Sequence, residues 1–373
     1  MKYKLSLKMI VALSIIMLLV VIVFIFLHQA KFGRTPTGER KERILNSPNY
    51  YDGKFQNQNH TPQFTGDKGV FALMSDLFLG KFERLKPIGE IPFVKTDLLN
   101  LDSEQNILVW FGHSSYFIQI DGKRILVDPV LSGAASPISF VNKPFNGSNF
   151  YQAEDIPSID YLVITHDHWD HLDYSTILSL KDRISKIISG LGVGEHFERW
   201  GFEKNKIIEL DWSDSTTLSN GFSLYCLPAR HFSGRGLSPN QSLWVSFLLQ
   251  TPTMSIYIGG DGGYDTHFAE IGKQFGKIDL AILENGQYNA EWRYIHMMPE
   301  EVVQATKDLN AKALLPVHSS KYALAKHPWD EPLRKVFQAG LEENYRTLTP
   351  MIGELIHLKD STQQFSEWWV DLD

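Results

Sequence analysis

One short segment of the chain concentrates residue types that bind metals. Residues 166–171 read His-Asp-His-Trp-Asp-His, which places His166, His168, Asp170 and His171 within six positions. Imidazole nitrogen and carboxylate oxygen are ordinary zinc ligands. In a tight loop the first two ligands can point one way and the last two another, which predicts two adjacent metal ions. Histidines clustered at this spacing are not typical of a solvated polar loop.

Three further potential ligands follow apolar runs that are predicted as strands. They are His231 after Ser223–Leu227, Asp261 after Ser255–Ile258, and His318 after Ala313–Val317. Each is a weak signal alone, since a lone histidine is often structural and a Gly-Gly-Asp-Gly-Gly run is often only a turn. Strand ends that share one edge of a sheet converge in space. We therefore expect one composite site, with the glycines allowing a tight turn around Asp261.

The elements that must position these residues begin at Asn106, where short runs of β-branched and aromatic residues recur. The predicted strands are Ile107–Phe111, Tyr116–Ile120, Arg124–Val127, Tyr161–Thr165, Lys186–Ser189, Lys206–Glu209, Ser223–Leu227, Leu243–Leu249, Ser255–Ile258, Asp279–Leu283 and Ala313–Val317. The predicted helices are Tyr174–Leu180, Gly194–Trp200, Asp265–Phe275, Pro299–Leu309 and Pro332–Leu341. A hairpin is expected at Asp121-Gly122. Hairpins first and helix–strand alternation later predict an α/β fold of two sheets with helices outside.

An apolar stretch from Met9 to Leu27, interrupted only by Ser14, precedes this part of the chain. A spanning helix needs roughly 20 apolar residues, whereas the core of a signal peptide has roughly 7–15. The length favours a single-pass membrane anchor, with a long cleaved signal peptide as the alternative. Lysine and arginine flank both ends, so charge does not decide the orientation. The short basic leader favours a catalytic domain on the non-cytoplasmic side.

Composition divides the chain into three predicted parts. Residues 1–30 form the anchor, residues 31–100 an N-terminal extension, and residues 101–373 the main domain. The extension is rich in proline and turn residues and is expected to lie over the core. Its apolar residues fit either an exposed hydrophobic surface near the site or an ordinary amphipathic helix that packs on the core. These residues are Phe64, Phe71, Leu73, Met74, Leu77 and Phe78.

Bulk composition bounds the function. The chain has 373 residues, 43% of them apolar, which is ample for one large core. Its formal net charge is −7, and no stripe of lysine and arginine stands out, so we expect no nucleic-acid partner. The only cysteine, Cys226, cannot form an intramolecular disulfide and is predicted to lie buried in a strand.

The order His-x-His-x-Asp-His, a lone His, an Asp and a final His resembles the metallo-β-lactamase fold hydrolases. Other motifs resemble the branch that contains N-acyl-phosphatidylethanolamine phospholipase D and the ascorbate-6-phosphate lactonase group. These motifs are Trp110-Phe-Gly-His-Ser-Ser115, Leu126-Val-Asp-Pro129, Ala135-Ser-Pro137, Ile208-Glu-Leu-Asp-Trp212, Glu270-Ile-Gly-Lys-Gln-Phe-Gly276 and His296-Met-Met-Pro-Glu-Glu301. The likeness spans roughly Asn106 to Pro332. It implies an αββα sandwich with a dinuclear zinc site at one edge.

The resemblance also implies roles for the ligands. One zinc would be held by His166, His168 and His231, the other by Asp170, His171 and His318, and Asp261 would bridge the two. The chain departs from the branch at Gly262, where the branch has threonine, and at Glu284 and Asn285, where the branch is more apolar.

Other site residues are also implied. Asp170 and His296 are the candidate catalytic residues, since His296 matches a family histidine near the substrate. The alternative for His296 is a histidine at the entry of the helix that begins at Pro299. His113 and Asp128 match residues close to the site and are expected to orient ligands through hydrogen bonds. Asp128 also fits a plain turn residue.

The chemistry of such a site predicts a hydrolase with two Zn²⁺ per chain. Two divalent metals lower the pKa of a shared water to about 7, so a bridging hydroxide is available at neutral pH. We expect a phosphodiesterase of phospholipase D type that acts on N-acyl-phosphatidylethanolamine-like membrane lipids. The alternative is a lactonase or another carbonyl-ester hydrolase. A pocket lined by Arg230, Arg235 and Arg293 would favour a phosphorylated sugar, and an apolar pocket acyl chains.

Overall fold

Two seven-stranded sheets form the main body of the protein, for which a computed structural model describes residues 6–66, 82–219, 221–370 and 372. In spatial order the first sheet contains β16 (Leu355–His357), β3 (Ile107–Trp110), β4 (Tyr116–Ile120), β5 (Lys123–Val127), β6 (Ile159–Ile164), β7 (Ile184–Gly190) and β8 (Ile207–Leu210). The second contains β15 (Arg346–Thr347), β14 (Ala313–Val317), β13 (Leu280–Glu284), β12 (Ser255–Ile258), β11 (Ser246–Gln250), β10 (Ser223–Leu227) and β9 (Ser215–Thr217). A separate hairpin pairs β1 (Tyr50–Tyr51) with β2 (Lys54–Phe55).

Each sheet is antiparallel in one half and parallel in the other. Strands β3, β4 and β5 form a meander, and β5 to β8 then run parallel. The turn between β4 and β5 is the predicted Asp121-Gly122, and both residues have positive φ, as a two-residue hairpin of type I′ requires. In the second sheet β9 to β12 are antiparallel, and β12 to β15 are parallel.

The sheets pack face to face, with helices on both outer faces. Along β3, Leu108 and Trp110 enter the core between the sheets, whereas Ile107 and Val109 enter the core on the outer face. That outer core includes side chains from α3 (Tyr174–Ser179) and α4 (Gly194–Arg199). The second sheet is covered by α5 (His267–Phe275), α6 (Pro299–Asp308) and α7 (Glu331–Glu342). The predicted αββα architecture is confirmed.

The strands and helices predicted from Ile107 onward are all present, with ends shifted by a few residues. Strands β9, β15 and β16 were not predicted, because they are short and lack a clear alternation. Strand β16 pairs antiparallel with β3, which brings the end of the chain back to the start of the domain. Cys226 is buried in β10, as predicted.

The N-terminal part begins with α1 (Leu7–Leu27), a strongly apolar helix of 21 residues with no buried residue. Its length and composition are sufficient to cross a membrane. After it, α2 (Gly38–Leu45) and the following hairpin lie against the main domain. Ile44, Phe55 and Ile91 are fully buried in the core between the sheets. The apolar run predicted between Phe71 and Phe78 lies outside the described residues.

Candidate metal centre

The first predicted ligand group forms where β6 and β10 end. Nε2 of His166 lies 2.9 Å from Nδ1 of His168, and Nε2 of His231 lies 3.3 Å from that same atom. Nδ1 of His231 donates a hydrogen bond of 2.9 Å to the carbonyl of Ile295. Because a carbonyl can only accept, Nε2 of His231 carries a free lone pair that faces the other two histidines. The three residues therefore offer nitrogen atoms to one common point.

The second group contains Asp170, His171 and His318, and the structure adds His113 to it. One ligand atom from each of these four residues lies within 4.8 Å of the others. Nε2 of His113 lies 3.0 Å from Oδ2 of Asp170. The sequence placed His113 next to the ligands, but the geometry places its ring among them.

Asp261 lies between the two groups. Its Oδ2 is 3.1 Å from Nε2 of His171, 3.8 Å from Nε2 of His231 and 3.9 Å from Nε2 of His166. Its Oδ1 is 3.1 Å from Nδ1 of His318 but has no partner in hydrogen-bond geometry among the described residues. A buried carboxylate oxygen left in this way is costly unless a cation satisfies it.

The turn that carries Asp261 depends on Gly260. This residue has φ +62°, and a Cβ at its position would lie 2.9 Å from Cβ of Thr165 at the end of β6. Glycine therefore permits both the left-handed backbone and the close approach of two strand ends from opposite sheets. The tight turn expected at this position is present.

Asp128 orients one of the ligands. Its Oδ2 accepts a hydrogen bond of 2.8 Å from Nδ1 of His171, and its carboxylate also accepts from the backbone N–H and the hydroxyl of Thr165. This pairing fixes the tautomer of His171 and turns Nε2 toward Asp261. A carboxylate behind a histidine is the usual arrangement around protein-bound metals.

Three residues of the site have backbone conformations that L-residues rarely adopt. The φ angles are +53° for His113, +41° for Asp128 and +68° for His318. Such conformations cost on the order of 1–3 kcal/mol each and cluster at functional sites. They show that local backbone preference is overridden here to aim side chains at one place.

The charges of the cluster suit a metal. Burial, and then the charge of neighbouring imidazoles, lowers the pKa of His166, His231 and His318 well below the usual value, and that of His168 to about 4. These rings are thus neutral and keep a lone pair for coordination. Burial raises the pKa of Asp261 to about 6. Neutral imidazoles and carboxylates packed this closely fit divalent zinc and similar ions.

His296 lies beside both groups. Its ring centroid is 5.2 Å from that of His231 and 5.2 Å from that of His318. Its Nδ1 is 3.3 Å from Oε2 of Glu284, whose Oε1 accepts a 2.6 Å hydrogen bond from the backbone N–H of Met297. Sequence reasoning noted Glu284 only as a departure from the branch. A buried acid at the end of an apolar strand was the signal that it contacts the site.

A cavity of about 170 Å³ opens onto the cluster. Its apolar walls are formed by Phe64, Phe232, Trp292, Ile295 and Leu324. None of the described residues that line it is a lysine or an arginine. The arginines proposed from the sequence lie elsewhere. Arg230 contacts Thr61 and Asp265, and Arg293 pairs with Glu301. Arg235 lies behind the loop of residues 166–171, hereafter the metal-binding loop.

The loop at residues 166–171 is held from behind by Asp167. Its carboxylate accepts hydrogen bonds from Nε2 of His196 (3.0 Å), the N–H of Gly234 (2.7 Å) and the hydroxyl of Ser242 (2.8 Å). Both oxygens of this carboxylate are thereby engaged in hydrogen bonds inside the protein.

Trp169 ties the same loop to the N-terminal segment. Its ring packs edge-on against Phe32 at 5.1 Å, with the guanidinium of Arg235 4.0 Å from its centre. Arg235 in turn donates to the carbonyls of Asp167 and Lys31. The metal-binding loop and the segment that follows α1 are therefore joined directly.

Comparison with known proteins places this site in a family. A Beta-lactamase superfamily domain matches residues 123–319. An uncharacterized protein of Mycobacterium tuberculosis is 36% identical over 327 residues, covering 87% of this chain and 87% of the relative. The N-acyl-phosphatidylethanolamine-hydrolyzing phospholipase D 1 of Caenorhabditis elegans is 31% identical over 228 residues, covering 58% of this chain and 64% of the relative.

The fold has counterparts among solved structures. Igni18, a metallo hydrolase from the archaeon Ignicoccus hospitalis, superposes with a TM-score of 0.51 at 21% sequence identity. The match covers 68% of this chain and 98% of Igni18. The matched family domain, the relatives and the candidate His/Asp metal-binding groups agree, and the chain belongs to the beta-lactamase superfamily as a metal-dependent hydrolase of the metallo-β-lactamase fold.

Proposed function

We propose that the chain is a zinc-dependent phosphodiesterase of phospholipase D type that acts on N-acyl-phosphatidylethanolamine-like lipids. The observation that carries the proposal is the apolar cavity that opens onto two ligand groups joined by Asp261. The similarity to the phospholipase of Caenorhabditis elegans supports the same reaction class. A cavity without lysine or arginine among its described lining residues disfavours a phosphorylated sugar.

The ligand assignment follows the geometry of the two groups. One ion would be held by His166, His168 and His231, the other by Asp170, His171 and His318, with Asp261 between them. When bound, two divalent ions supply Lewis acidity and water of lowered pKa. Nε2 of His113 contacts the Asp170 carboxylate that would bind the second ion. The ring of His113 therefore either orients that carboxylate or would itself bind the same ion.

The chain's own side chains then orient the substrate. His296 faces the cavity, and the contact of its Nδ1 with Glu284 directs the opposite ring nitrogen toward the space beside His231 and His318. Burial raises the pKa of Glu284 well above its usual value, so its carboxyl group can donate to Nδ1 of His296 and leave the ring proton on Nε2. That proton would be donated to a phosphoryl oxygen or to the leaving alkoxide. Phe64 and Phe232 exclude water from the same space and contact the apolar part of the substrate.

The N-terminal helix supports a membrane substrate. We propose that α1 is a single-pass anchor, with the domain of residues 101–373 on the non-cytoplasmic side and the extension of residues 31–100 docked onto it over the part that the structure describes, residues 31–66 and 82–100. The ring contact between Trp169 and Phe32, which joins the loop of residues 166–171 to the segment after α1, supports this arrangement. An enzyme held in this way meets its lipid substrate without leaving the bilayer.

The test uses the full chain in lipid nanodiscs, with metal content measured alongside activity. Wild type and His168→Ala are assayed with bis-p-nitrophenyl phosphate, with an N-acyl-phosphatidylethanolamine in the disc, and with a simple lactone. We expect about two zinc ions per chain and cleavage of both phosphodiesters that is lost in His168→Ala. The exposed His357→Ala variant is the matched control and should retain activity.

Each result has a defined meaning. Cleavage of the lactone alone would replace the phosphodiesterase proposal with a carbonyl-ester hydrolase at the same site. Cleavage of bis-p-nitrophenyl phosphate without cleavage of the lipid would leave the reaction class standing and refute the lipid substrate.

A further inference from the structure

Two loops beside the end of α1 expose large apolar side chains. Phe140 is 76% exposed in the loop of residues 136–142, where Ile138 and Val141 are also exposed, and Leu237 is 83% exposed in the loop of residues 234–238. Both loops contact the segment that leaves α1. Nζ of Lys31 donates a 2.6 Å hydrogen bond to the carbonyl of Pro137, and Arg235 donates to the carbonyl of Lys31.

Basic side chains surround the same place. The guanidinium of Arg199 donates to the carbonyl of His28, directly after the last residue of α1, and Arg199 is exposed. Lys31 lies over the ring of Phe26 at 4.9 Å. Within the described residues neither Lys31 nor Arg199 forms an ion pair, so both charges remain available to an anion.

A cavity of about 660 Å³ lies beside the end of α1, between Arg199 and the loop of residues 234–238. Phe24 and Leu27 from the last turn of α1 form one wall, and Arg34, Arg199 and the loop around Leu237 form others. One end of the cavity is thus continuous with the surface of an apolar helix, and the rest is polar and basic. This combination matches an amphiphile with an anionic headgroup.

We propose that this junction face, defined by Phe140, Leu237, Lys31 and Arg199, docks on the bilayer and that the cavity beside it takes the headgroup of an acidic phospholipid. We assign the bilayer as the partner because α1, the proposed membrane-spanning helix, ends within a few residues of Lys31. Exposed apolar side chains rimmed by basic ones are typical of interfacial membrane contacts. The inference rests on α1 spanning the bilayer, as proposed above.

The junction face also sets where the active site lies. A single loop connects His231 and Phe232 at the metal cluster with Leu237 at the junction face. Behind it, Arg235 joins the carbonyl of Lys31 to the metal-binding loop through Asp167. Docking of this face would hold the catalytic cavity at a fixed distance from the lipid surface rather than at the end of a free tether.

The test places single nitroxide labels on the full chain in nanodiscs. Because Cys226 is fully buried, cysteines introduced by Phe140→Cys and Leu237→Cys can be labelled selectively. Ile16→Cys reports on α1, and Leu341→Cys, which is 60% exposed on α7, is the control away from the junction face. Collision rates with oxygen, which concentrates in lipid, are compared with those of a water-soluble nickel chelate. Discs contain phosphatidylcholine with or without phosphatidylglycerol.

With phosphatidylglycerol present, we expect an oxygen-to-nickel ratio several-fold higher at Phe140→Cys and Leu237→Cys than at Leu341→Cys. Adding Lys31→Gln and Arg199→Gln should return it toward the control. If the label of Ile16→Cys lies in lipid while both loop labels give the same oxygen-to-nickel ratio as Leu341→Cys, docking of the junction face is refuted and the anchor stands. A label at Ile16→Cys that is accessible to the nickel chelate would refute the anchor and the docking of the junction face together. An oxygen-to-nickel ratio that changes neither with phosphatidylglycerol nor with Lys31→Gln and Arg199→Gln would refute the binding of an acidic phospholipid headgroup.

Discussion

The loop of residues 166–171 has two faces that are built in opposite ways. On the ligand face, His166 and His171 turn toward Asp261 and His168 turns toward His231, and a carboxylate oxygen of Asp261 has no hydrogen-bond partner among the described residues. On the rear face, the carboxylate of Asp167 accepts hydrogen bonds from three separate groups.

The difference shows how one short segment can hold closely packed ligand groups and still be stable. The ligand face gathers groups whose lone pairs compete for the same space and which need a cation to lie so close together. The rear face is satisfied by fixed partners on α4 and on the loop of residues 234–242. A rigid rear face is what holds a ligand set in place before the metal binds.

The largest effect is expected on the ligand face, from Asp261→Asn. The amide removes the negative charge that lies 3.1 Å from Nε2 of His171 and 3.1 Å from Nδ1 of His318. We expect lower metal content and a loss of phosphodiesterase activity greater than about 100-fold, beyond the 10–100-fold typical of residues one layer further out. Metal analysis and steady-state assays measure both. The exposed Asp360→Asn variant is the control, and full activity in Asp261→Asn would refute the bridging role.

A smaller loss is expected from Asp128→Asn, which keeps the shape of the residue but removes the charge behind His171. Without that acceptor, the ring of His171 loses its fixed tautomer. Metal affinity, measured by competition with a chelator, should fall about 10–100-fold while the circular dichroism spectrum is unchanged. An unchanged affinity would reduce Asp128 to a turn residue.

The rear face is tested by Asp167→Asn. The amide cannot accept all three hydrogen bonds, and a buried group left unpaired costs about 1–3 kcal/mol. We expect the free energy of unfolding in urea to fall by this amount. The activity of each folded, metal-loaded molecule should change far less than in Asp128→Asn. A fall in activity as large as that of Asp128→Asn, without lower stability, would mean that the two faces are not separate.

The smallest effect is expected where the rear face meets the N-terminal segment. Gly33 has φ +70°, and a Cβ there would lie 1.9 Å from Nδ1 of His196. Gly53→Ala is a control for the positive φ alone, since it has φ +77° with nothing within 4 Å. Gly33 also has ψ −148°, a backbone region that essentially only glycine adopts, so Gly33→Ala carries backbone strain of about 1–3 kcal/mol in addition to the contact with His196. Only Gly33→Ala should release the segment, which faster trypsin cleavage at Lys31 and Arg34 would report. Equal cleavage in both variants would contradict the docking.

Elements whose signal is local could be predicted from the sequence. Strands such as Ser223–Leu227 and helices such as the one that begins at Pro299 carry their own periodicity and end signals. The candidate metal motif is also local, because four of the candidate ligands lie within six residues. The short strand β16 could not be predicted, since only its pairing with β3 stabilises it.

Contacts between distant parts of the chain were beyond sequence reasoning. Glu284 and His296 come together because β13 ends beside the loop before α6. The contact of Phe32 with Trp169 joins residues far apart along the chain. Their side chains are individually ordinary, so no spacing or composition marks them. The placement of Arg230, Arg235 and Arg293 outside the described cavity lining likewise depended on packing.

The sequence by itself determined the superfamily, the two-sheet architecture, the apolar N-terminal helix and the set of clustered candidate metal ligands. These follow from residue type and short-range periodicity, which act along a few neighbouring positions. Only the tertiary structure decided that His113 joins the second ligand group, that Asp128 orients His171, and that the segment after α1 holds the metal-binding loop from behind. Such contacts are set by how sheets and loops pack across long sequence separations, where side-chain direction rather than residue type decides which groups meet.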